Sequence, residues 1–213
     1  MGTLREFLKQ FRNIATSLSK LRSNTPVNLA DLFEIKRFLL LYEQLREHYE
    51  IESLPGFRFT PLVPALRLLD PEGKRQIFFS LESDYLQALR SELEKTGKQE
   101  TQEIKRYCEL LQKQYEIPVK NQREFILSRT DLRNLAIQKC EWISLLREST
   151  FSLHYEITGG EKTRSIHLKK TEILEEIETE EQRLIDELRR GLQKHADSMI
   201  SQMTEVGALD LSL

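Results

Sequence analysis

Residues 151–157 read Phe-Ser-Leu-His-Tyr-Glu-Ile, a run in which apolar and polar side chains alternate strictly. Such alternation is typical of a β-strand with one buried face and one face in water. Thr158-Gly159-Gly160 follows as a turn, and the Ser-Ile-His-Leu-Lys run at 165–169 alternates in the same way. We therefore predict a β-hairpin, with His154 and His167 facing each other across it.

The residues before this hairpin extend the β-rich stretch. Ile117-Pro118 ends a helical pattern, because the residue before a proline is pushed out of the helical region. Glu124 to Arg129 is strand-like, Leu132 to Lys139 fits either a helix or a loop, and Trp142 to Leu146 is again apolar. Residues 117–170 are therefore predicted to form a β-rich insertion.

Long helical patterns flank the insertion on both sides. Ser83 is a suitable N-cap for a helix over 83–115, and Gly97 either kinks this helix or divides it. Thr171 is a suitable cap for a helix over 172–206, which would be roughly 50 Å long at 1.5 Å per residue. We expect these helices to run antiparallel, with the insertion held at their common end in an elongated molecule.

The first part of the chain is predicted to be helical. Residues 3–22 carry one apolar stripe at spacings of three and four. A second helix, over about 29–50 and capped by Asn28, is apolar around most of its surface and is expected to be the most buried. A connector follows, with a short helix near Val63 to Leu69 and a turn at Asp70-Pro71-Glu72-Gly73.

These patterns predict a mainly α protein with a small β insertion. The predicted divisions are a helical core at 1–82, an ascending helix at 83–116, a β-rich segment at 117–170 and a descending helix at 171–213. The hydrophobic content of 39% and charged content of 31% suit long helices with exposed charged faces.

Composition and spacing also exclude several classes of function. No apolar run approaches the roughly 20 residues that span a bilayer, and the first residues lack a signal-peptide pattern, so we expect a cytoplasmic protein. Cys108 and Cys140 are expected to be reduced thiols. There is no glycine-rich phosphate loop, no metal-ligand spacing among the four histidines and no credible nucleophile. We therefore expect neither catalysis nor a bound metal in this chain.

Charge is distributed unevenly along the predicted elements. Residues 119–170 contain ten Lys or Arg and six Asp or Glu, whereas residues 171–190 contain three and eight. Because Lys and Arg neutralise phosphates whatever the base sequence, this pattern is consistent with a basic β-rich segment that contacts a nucleic-acid backbone. An ordinary mixed-charge surface fits the same counts.

The order of these parts resembles the core, lever and clamp region of MutS-type DNA mismatch-repair proteins. The Asp-Leu-Phe-Glu-Ile-Lys-Arg-Phe-Leu run at 31–39 is similar to an early core helix of that family. The Ala-Leu-Asp-Leu-Ser-Leu run at 208–213 resembles the stretch that ends its descending lever helix. Ile117 to Thr130, followed by the hairpin, lies where the family places its clamp, and 129–134 is similar to a Thr-Leu-Lys-Asn run of some clamps.

The resemblance implies a role in DNA repair. It implies that the chain belongs to a protein that uses ATP and Mg²⁺, forms a homodimer and encircles double-stranded DNA. Neither the family's mismatch-reading domain nor its ATPase is present here, so we expect a fragment, as the abrupt end at Leu213 favours, or a stand-alone relative. The predicted phosphate contacts are Lys120, Arg123, Arg129, Arg133, Lys162, Arg164, Lys169 and Lys170.

The alternative function is a helical scaffold that binds another protein through the seam of its last helix. Met199 and Met203 lie on that seam, and methionine suits adaptable docking faces as well as buried cores. Such a scaffold would show no salt-dependent binding to DNA.

Overall fold

The computed structural model describes residues 4–49, 51, 56–119 and 123–212. Over these residues the chain is mainly α with one small antiparallel sheet, as predicted. The helices are α1 Leu4–Leu8, α2 Ala15–Arg22, α3 Leu29–Tyr49, α4 Val63–Leu69, α5 Asp84–Tyr115, α6 Asn134–Ile137, α7 Glu161–Gln193 and α8 Ala196–Ser212, and the strands are β1 Glu124–Ser128, β2 Ile143–Glu148 and β3 Ser152–Ile157. None of the helices within the described ranges is both long and apolar enough to cross a membrane.

The described residues form two compact units. The first unit consists of those in 1–82 and 180–213, and the second unit consists of those in 83–179. The second unit therefore takes α5, all three strands, α6 and the first part of α7, and it contains the described candidates for phosphate contact.

Helix α3 forms the centre of the first unit, as predicted. Leu32, Ile35 and Leu39 have no exposed surface. The predicted cap is also confirmed, because the side-chain oxygen of Asn28 accepts the Asp31 N–H at 2.9 Å. Asp31 returns the interaction by accepting the Asn28 N–H at 3.1 Å, which makes the pair a reciprocal capping box.

Two of the predicted helices are each divided in two. The stripe over 3–22 is interrupted between α1 and α2, where the Asn13 side chain accepts the Ala15 N–H and starts α2 afresh. The last helix is interrupted between α7 and α8. Leu192, Ala196 and Met199 are buried on both sides of that break, so the apolar spacing continues across it and does not reveal it. The prediction of one helix in each case was wrong.

Helix α5 is continuous through Gly97 and closes as expected at both ends. At its start, the Ser83 hydroxyl accepts the Leu86 N–H at 3.0 Å, which confirms the predicted cap. At its end, Glu116 adopts the left-handed conformation, with φ of 55°, and the chain leaves the helix before Pro118.

The three strands pair in the order β1-β3-β2, with both pairings antiparallel. The inner face of the sheet packs against α5 and α6 through Phe125, Leu127, Leu153, Tyr155 and Ile157, which meet Ile104, Cys108, Leu111 and Ile137. Tyr155 anchors this core, because its ring stacks on Phe125 at 5.4 Å between centroids and its hydroxyl donates to Asn134 Oδ1 at 3.0 Å.

The second half of the predicted hairpin is a helix, which corrects the sequence prediction. Strand β3 pairs with β1 and β2, and α7 already begins at Glu161, ten residues before the predicted cap Thr171. The Thr171 hydroxyl instead donates to the His167 carbonyl within the helix. A five-residue run with two apolar positions fits both periods. In the structure Leu168 is 64% exposed and Thr163 and Ile173 are buried, which is the helical pattern.

Candidate nucleic-acid interface

The two long helices of the second unit run antiparallel, and polar contacts connect them along their length. Tyr85 near the start of α5 donates to Glu176, and Glu92 pairs with Lys169 at 2.6 Å. Farther along α5, Glu103 pairs with Lys162 in the first turn of α7. Partners that come later on α5 therefore come earlier on α7, as two antiparallel helices require.

Glu100 is the centre of the largest group of charges in the second unit. Its side chain is 8% exposed and accepts hydrogen bonds from Arg123 at 2.5 Å and from Lys170 at 3.0 Å, with His167 Nδ1 at 3.9 Å. Burial alone would raise the pKa of the Glu100 carboxyl, but the hydrogen bonds from Arg123 and Lys170 outweigh it and hold the pKa below its ordinary value.

Removing Arg123 or Lys170 from Glu100 would leave a buried carboxylate short of partners, which costs several kcal/mol in typical proteins. Arg123 lies just before β1 and Lys170 lies on α7. Their contacts with Glu100 therefore join both of these segments to the middle of α5. Both cations were predicted as phosphate contacts, but the structure gives them a structural partner.

Arg133 is likewise occupied within the fold. Its guanidinium makes a two-point contact with the Asp131 carboxylate, and Nη1 donates to the Tyr115 and Glu116 carbonyls at 3.2 Å each. A cation at this position suits the negative end of α5 and satisfies two of its last carbonyls. The hydrogen bonds from Arg133 lower the pKa of Asp131 to about 2, and the same contact raises the pKa of Arg133.

Four other predicted cations remain accessible to an external phosphate. Arg129 pairs with Glu148, and both side chains are about half exposed. Lys162 and Lys169 pair with Glu103 and Glu92, and their side chains are 66% and 56% exposed. In the Arg129–Glu148 and Lys169–Glu92 pairs both partners are about half exposed, so a phosphate can displace the carboxylate at small cost. Glu103 is only 13% exposed, so the Lys162–Glu103 pair costs more to break.

Arg164 is exposed and has no carboxylate within ion-pair distance among the residues that the structure describes. It lies on the same first turns of α7 as Lys162 and Lys169. The eighth predicted contact, Lys120, lies outside the described residues.

The basic character of the predicted insertion comes mainly from α7. Residues 117–160 contain six Lys or Arg and five Asp or Glu. The remaining four of the ten cations, at 162, 164, 169 and 170, belong to the first three turns of α7. The change of sign that the sequence shows near 170 therefore lies within one helix, and the β-rich segment is close to neutral.

Sequence reasoning did not single out a second group of residues on the sheet. Arg147 of β2 lies opposite His154 of β3, with Nη2 at 3.4 Å from Nδ1. The register shifts between Leu145 and Arg147, so an extra residue breaks the two-residue period. For that reason the sequence of β2 lacks the regular alternation of apolar and polar residues from which β3 was predicted.

The two cysteines lie in the second unit and are not joined in a disulfide. Burial raises the pKa of the Cys108 thiol. Cys140 Sγ lies 3.2 Å from the Tyr115 hydroxyl, and this hydrogen bond raises the pKa of Tyr115. Among the described residues, no cluster of three or more His, Cys, Asp or Glu is arranged to hold a metal ion.

In comparisons with known proteins, no family model matches this chain and no curated protein matches it significantly. The arrangement of the helices and the sheet, and the charges they carry, are therefore the features that bear on function.

Proposed function

We propose that this chain is the lever and clamp region of a MutS-type DNA mismatch-repair protein and that it holds duplex DNA by its backbone. The observation that carries the proposal is the order of elements in the second unit. A three-stranded sheet is inserted in the chain between two long antiparallel helices. The resemblance to that family is based on this order of elements. The exposed cations on the first turns of α7 supply the means of contact with phosphates.

Binding would arise from charge neutralisation and counterion release. Lys162, Arg164 and Lys169 would contact phosphates, and Arg129 and Lys120 are further candidates. Arg123, Arg133 and Lys170 leave this list as primary contacts because each is held by a carboxylate of the fold. The contacts carry no base information, so affinity should be the same for duplexes of different sequence.

The larger protein implied by the resemblance would be a cytoplasmic homodimer that binds ATP and Mg²⁺ in a domain absent from this chain. In that protein the long helices would relay the nucleotide state to the DNA-holding segment. The chain itself would bind DNA and catalyse nothing.

Titration of a labelled duplex with the chain at several salt concentrations tests the proposal. Non-specific binding by one module should give a Kd on the order of 10⁻⁴ to 10⁻⁶ M at physiological salt, and the affinity should fall steeply as salt increases. Equal affinities for two duplexes of unrelated sequence are also expected. Absence of salt-dependent binding would contradict the proposal.

Two pairs of lysines provide a matched test of the α7 contacts. The double variant Lys162→Glu/Lys169→Glu should abolish measurable duplex binding, since it replaces two contacts by repulsion. The control Lys9→Glu/Lys74→Glu changes two lysines of the first unit that each pair with a glutamate and are 62% exposed, between the 66% of Lys162 and the 56% of Lys169. Equal losses in the two double variants would mean that only net charge matters and that α7 is not the contact.

One specific observation favours the alternative function, a protein-binding scaffold. Met203 lines a cleft of about 300 Å³ in the first unit together with Leu8, Phe11, Phe38 and Val206, whereas Met199 is buried. A protein-binding scaffold would use this cleft, and Met203→Glu would then abolish partner binding without changing the duplex titration.

A further inference from the structure

The outer face of the sheet carries carboxylates in one end row and a cation in the next row. Glu124 of β1 lies opposite Glu156 of β3, which places two like charges side by side at one end. In the next row of this face, Ile126 lies opposite His154, and His154 lies opposite Arg147. The last row consists of Ser128 and Ser152. An anion approaching this face is therefore repelled from the end with the glutamates and attracted toward Arg147 and the turn beyond it.

The end attracting anions also holds an exposed aromatic side chain. Phe151 is 82% exposed and lies in the turn between β2 and β3. The turn is held on both sides, because Ser149 N donates to the Ser152 carbonyl at 2.8 Å and Ser152 N donates to the Ser149 hydroxyl at 3.0 Å. The Arg129 N–H donates to the Phe151 carbonyl at 3.0 Å.

This arrangement keeps a large apolar side chain in water on a well-fixed backbone. We name the group of Arg129, Arg147, Phe151, Ser152 and His154 the turn-end surface. Arg129 shares its charge with Glu148, while Arg147 has no carboxylate within ion-pair distance among the described residues. The serines add hydroxyl donors, which together with arginine are common partners of DNA phosphates.

We propose that the turn-end surface is a second DNA contact, in which Arg147 holds a phosphate and Phe151 packs against the sugars and base edges of the groove beside it. This inference rests on the proposed function and adds to it a contact that does not depend on charge. An exposed phenylalanine beside a phosphate-binding arginine suits the groove of a duplex, where apolar side chains of DNA-binding proteins contact or wedge between base pairs.

The two residues should affect duplex binding in different ways. Arg147→Ala should weaken binding and lower the slope of log affinity against log salt by about one, because one phosphate contact is lost. Phe151→Ala should weaken binding about five- to tenfold at every salt concentration and leave the slope unchanged, since stacking contacts of aromatic side chains are not ionic. Both side chains are exposed, so thermal unfolding should be unchanged.

A fluorescent probe tests the contact directly. In the variant Trp142→Phe/Phe151→Trp, the added tryptophan should be quenched when duplex is added. The control Trp142→Phe/Phe78→Trp places a tryptophan at a position of the first unit that is 73% exposed, and its emission should not change.

The outcomes separate this inference from the proposed function. If the chain binds duplex and Lys162→Glu/Lys169→Glu abolishes binding, but Phe151→Ala and Arg147→Ala change neither affinity nor slope, the turn-end surface is overturned and the proposed function stands. If the chain does not bind duplex, both are overturned. Phe151-dependent binding to anionic lipid vesicles, with no effect of Phe151→Ala on duplex affinity, would also overturn the inference.

Discussion

Each of the two units of this chain is stabilised internally by a different kind of interaction. In the first unit, α3 buries apolar side chains around most of its surface, and Leu32, Ile35, Leu39 and Leu45 have no exposed area. In the second unit, the four turns of α5 between Leu89 and Ile104 bury only Thr96 and Glu100. The middle of the α5–α7 pair is therefore polar and is joined by ion pairs.

This difference assigns different roles to charge in the two units. The first unit owes its stability mainly to the removal of apolar surface from water, and its ion pairs Lys20–Asp31, Lys36–Asp70 and Arg46–Glu43 lie largely buried beside that core. In the second unit, glutamates and lysines form ion pairs between two helices. Charged side chains also lie where α7 faces solvent. The same helix therefore uses Lys170 to hold the fold and leaves Lys162, Arg164 and Lys169 accessible.

The largest expected effect is the loss of a side chain from the centre of the first unit. Leu39→Ala should lower the free energy of unfolding by about 2–5 kcal/mol, because the removed atoms leave a cavity in addition to the lost burial. Urea unfolding followed by far-UV circular dichroism measures the change. Leu211→Ala is the control, since Leu211 is 90% exposed and should cost less than about 0.5 kcal/mol.

The next effect tests whether charge holds the second unit. Glu100→Gln should destabilise it by about 2 kcal/mol, because Arg123 and Lys170 lose a buried charged acceptor while keeping part of their contact with water. The single tryptophan, Trp142, packs on Tyr107 with ring centroids 5.1 Å apart, so its fluorescence reports on this unit.

The control for that experiment is Glu92→Gln. Glu92 also joins α5 to α7 through a lysine, but it is 47% exposed, so Glu92→Gln should cost much less stability than Glu100→Gln. If the two variants lost the same stability, burial of Glu100 would be irrelevant, and buried charge would not distinguish the second unit from the first.

A smaller effect concerns acid. The pKa of Glu100 is lowered in the folded chain, so the unfolded chain binds more protons as the pH falls below about 5 and the free energy of unfolding decreases. The stability that Glu100 contributes is complete above its unfolded pKa and is lost as the pH falls through its folded pKa. Trp142 fluorescence at pH 7 and pH 4 should therefore show a smaller loss of stability in Glu100→Gln than in the unaltered chain.

Asp31 provides the comparison in the first unit. Burial would raise its pKa, but hydrogen bonds from Lys20, Asn28 and Ser17 hold the pKa below its ordinary value. Asp31→Asn should accordingly reduce acid sensitivity when unfolding is followed by far-UV circular dichroism, which reports on the helices of both units. It should leave the acid response of Trp142 unchanged if the units unfold separately.

Local signals in the sequence predicted the elements where they were strong. Asn28 and Ser83 are caps because their side chains satisfy helix N–H groups three residues on, and a cap acts within one turn. The alternation at 151–157 predicted β3 because Leu153, Tyr155 and Ile157 all lie on one buried face. The start of α7 was missed because 165–169 is too short to distinguish the two periods.

Of the predicted phosphate contacts, Arg123, Arg133 and Lys170 have carboxylate partners within the fold. Asp131 lies two positions before Arg133, so that pair is visible in the sequence. The partners of Glu100 lie 23 and 70 positions away, and only the fold brings Arg123 and Lys170 to it. Long-range pairing of this kind leaves no local pattern, which is why eight equivalent cations were predicted where the structure contains three that are committed to the fold.

The smallest expected effect uses the polar middle of α5 itself. Gly97 lies inside this helix, and a methyl group added to it would meet nothing within 4 Å. Few apolar contacts stabilise this part of α5, so its stability should depend directly on intrinsic helix propensity. Gly97→Ala should therefore raise the free energy of unfolding by about 0.5–1 kcal/mol. Protection of the α5 amides from hydrogen exchange should rise with it.

Gly159→Ala is the matched control, because it makes the same change at the junction of β3 and α7. Gly159 has φ of +74°, and a methyl group there would overlap the Thr163 hydroxyl, so the variant should lose more than about 1 kcal/mol. A loss of protection in α5 on Gly97→Ala would mean that buried packing, and not helix propensity, governs the middle of the helix pair. The second unit would then resemble the first more closely than its ion pairs indicate.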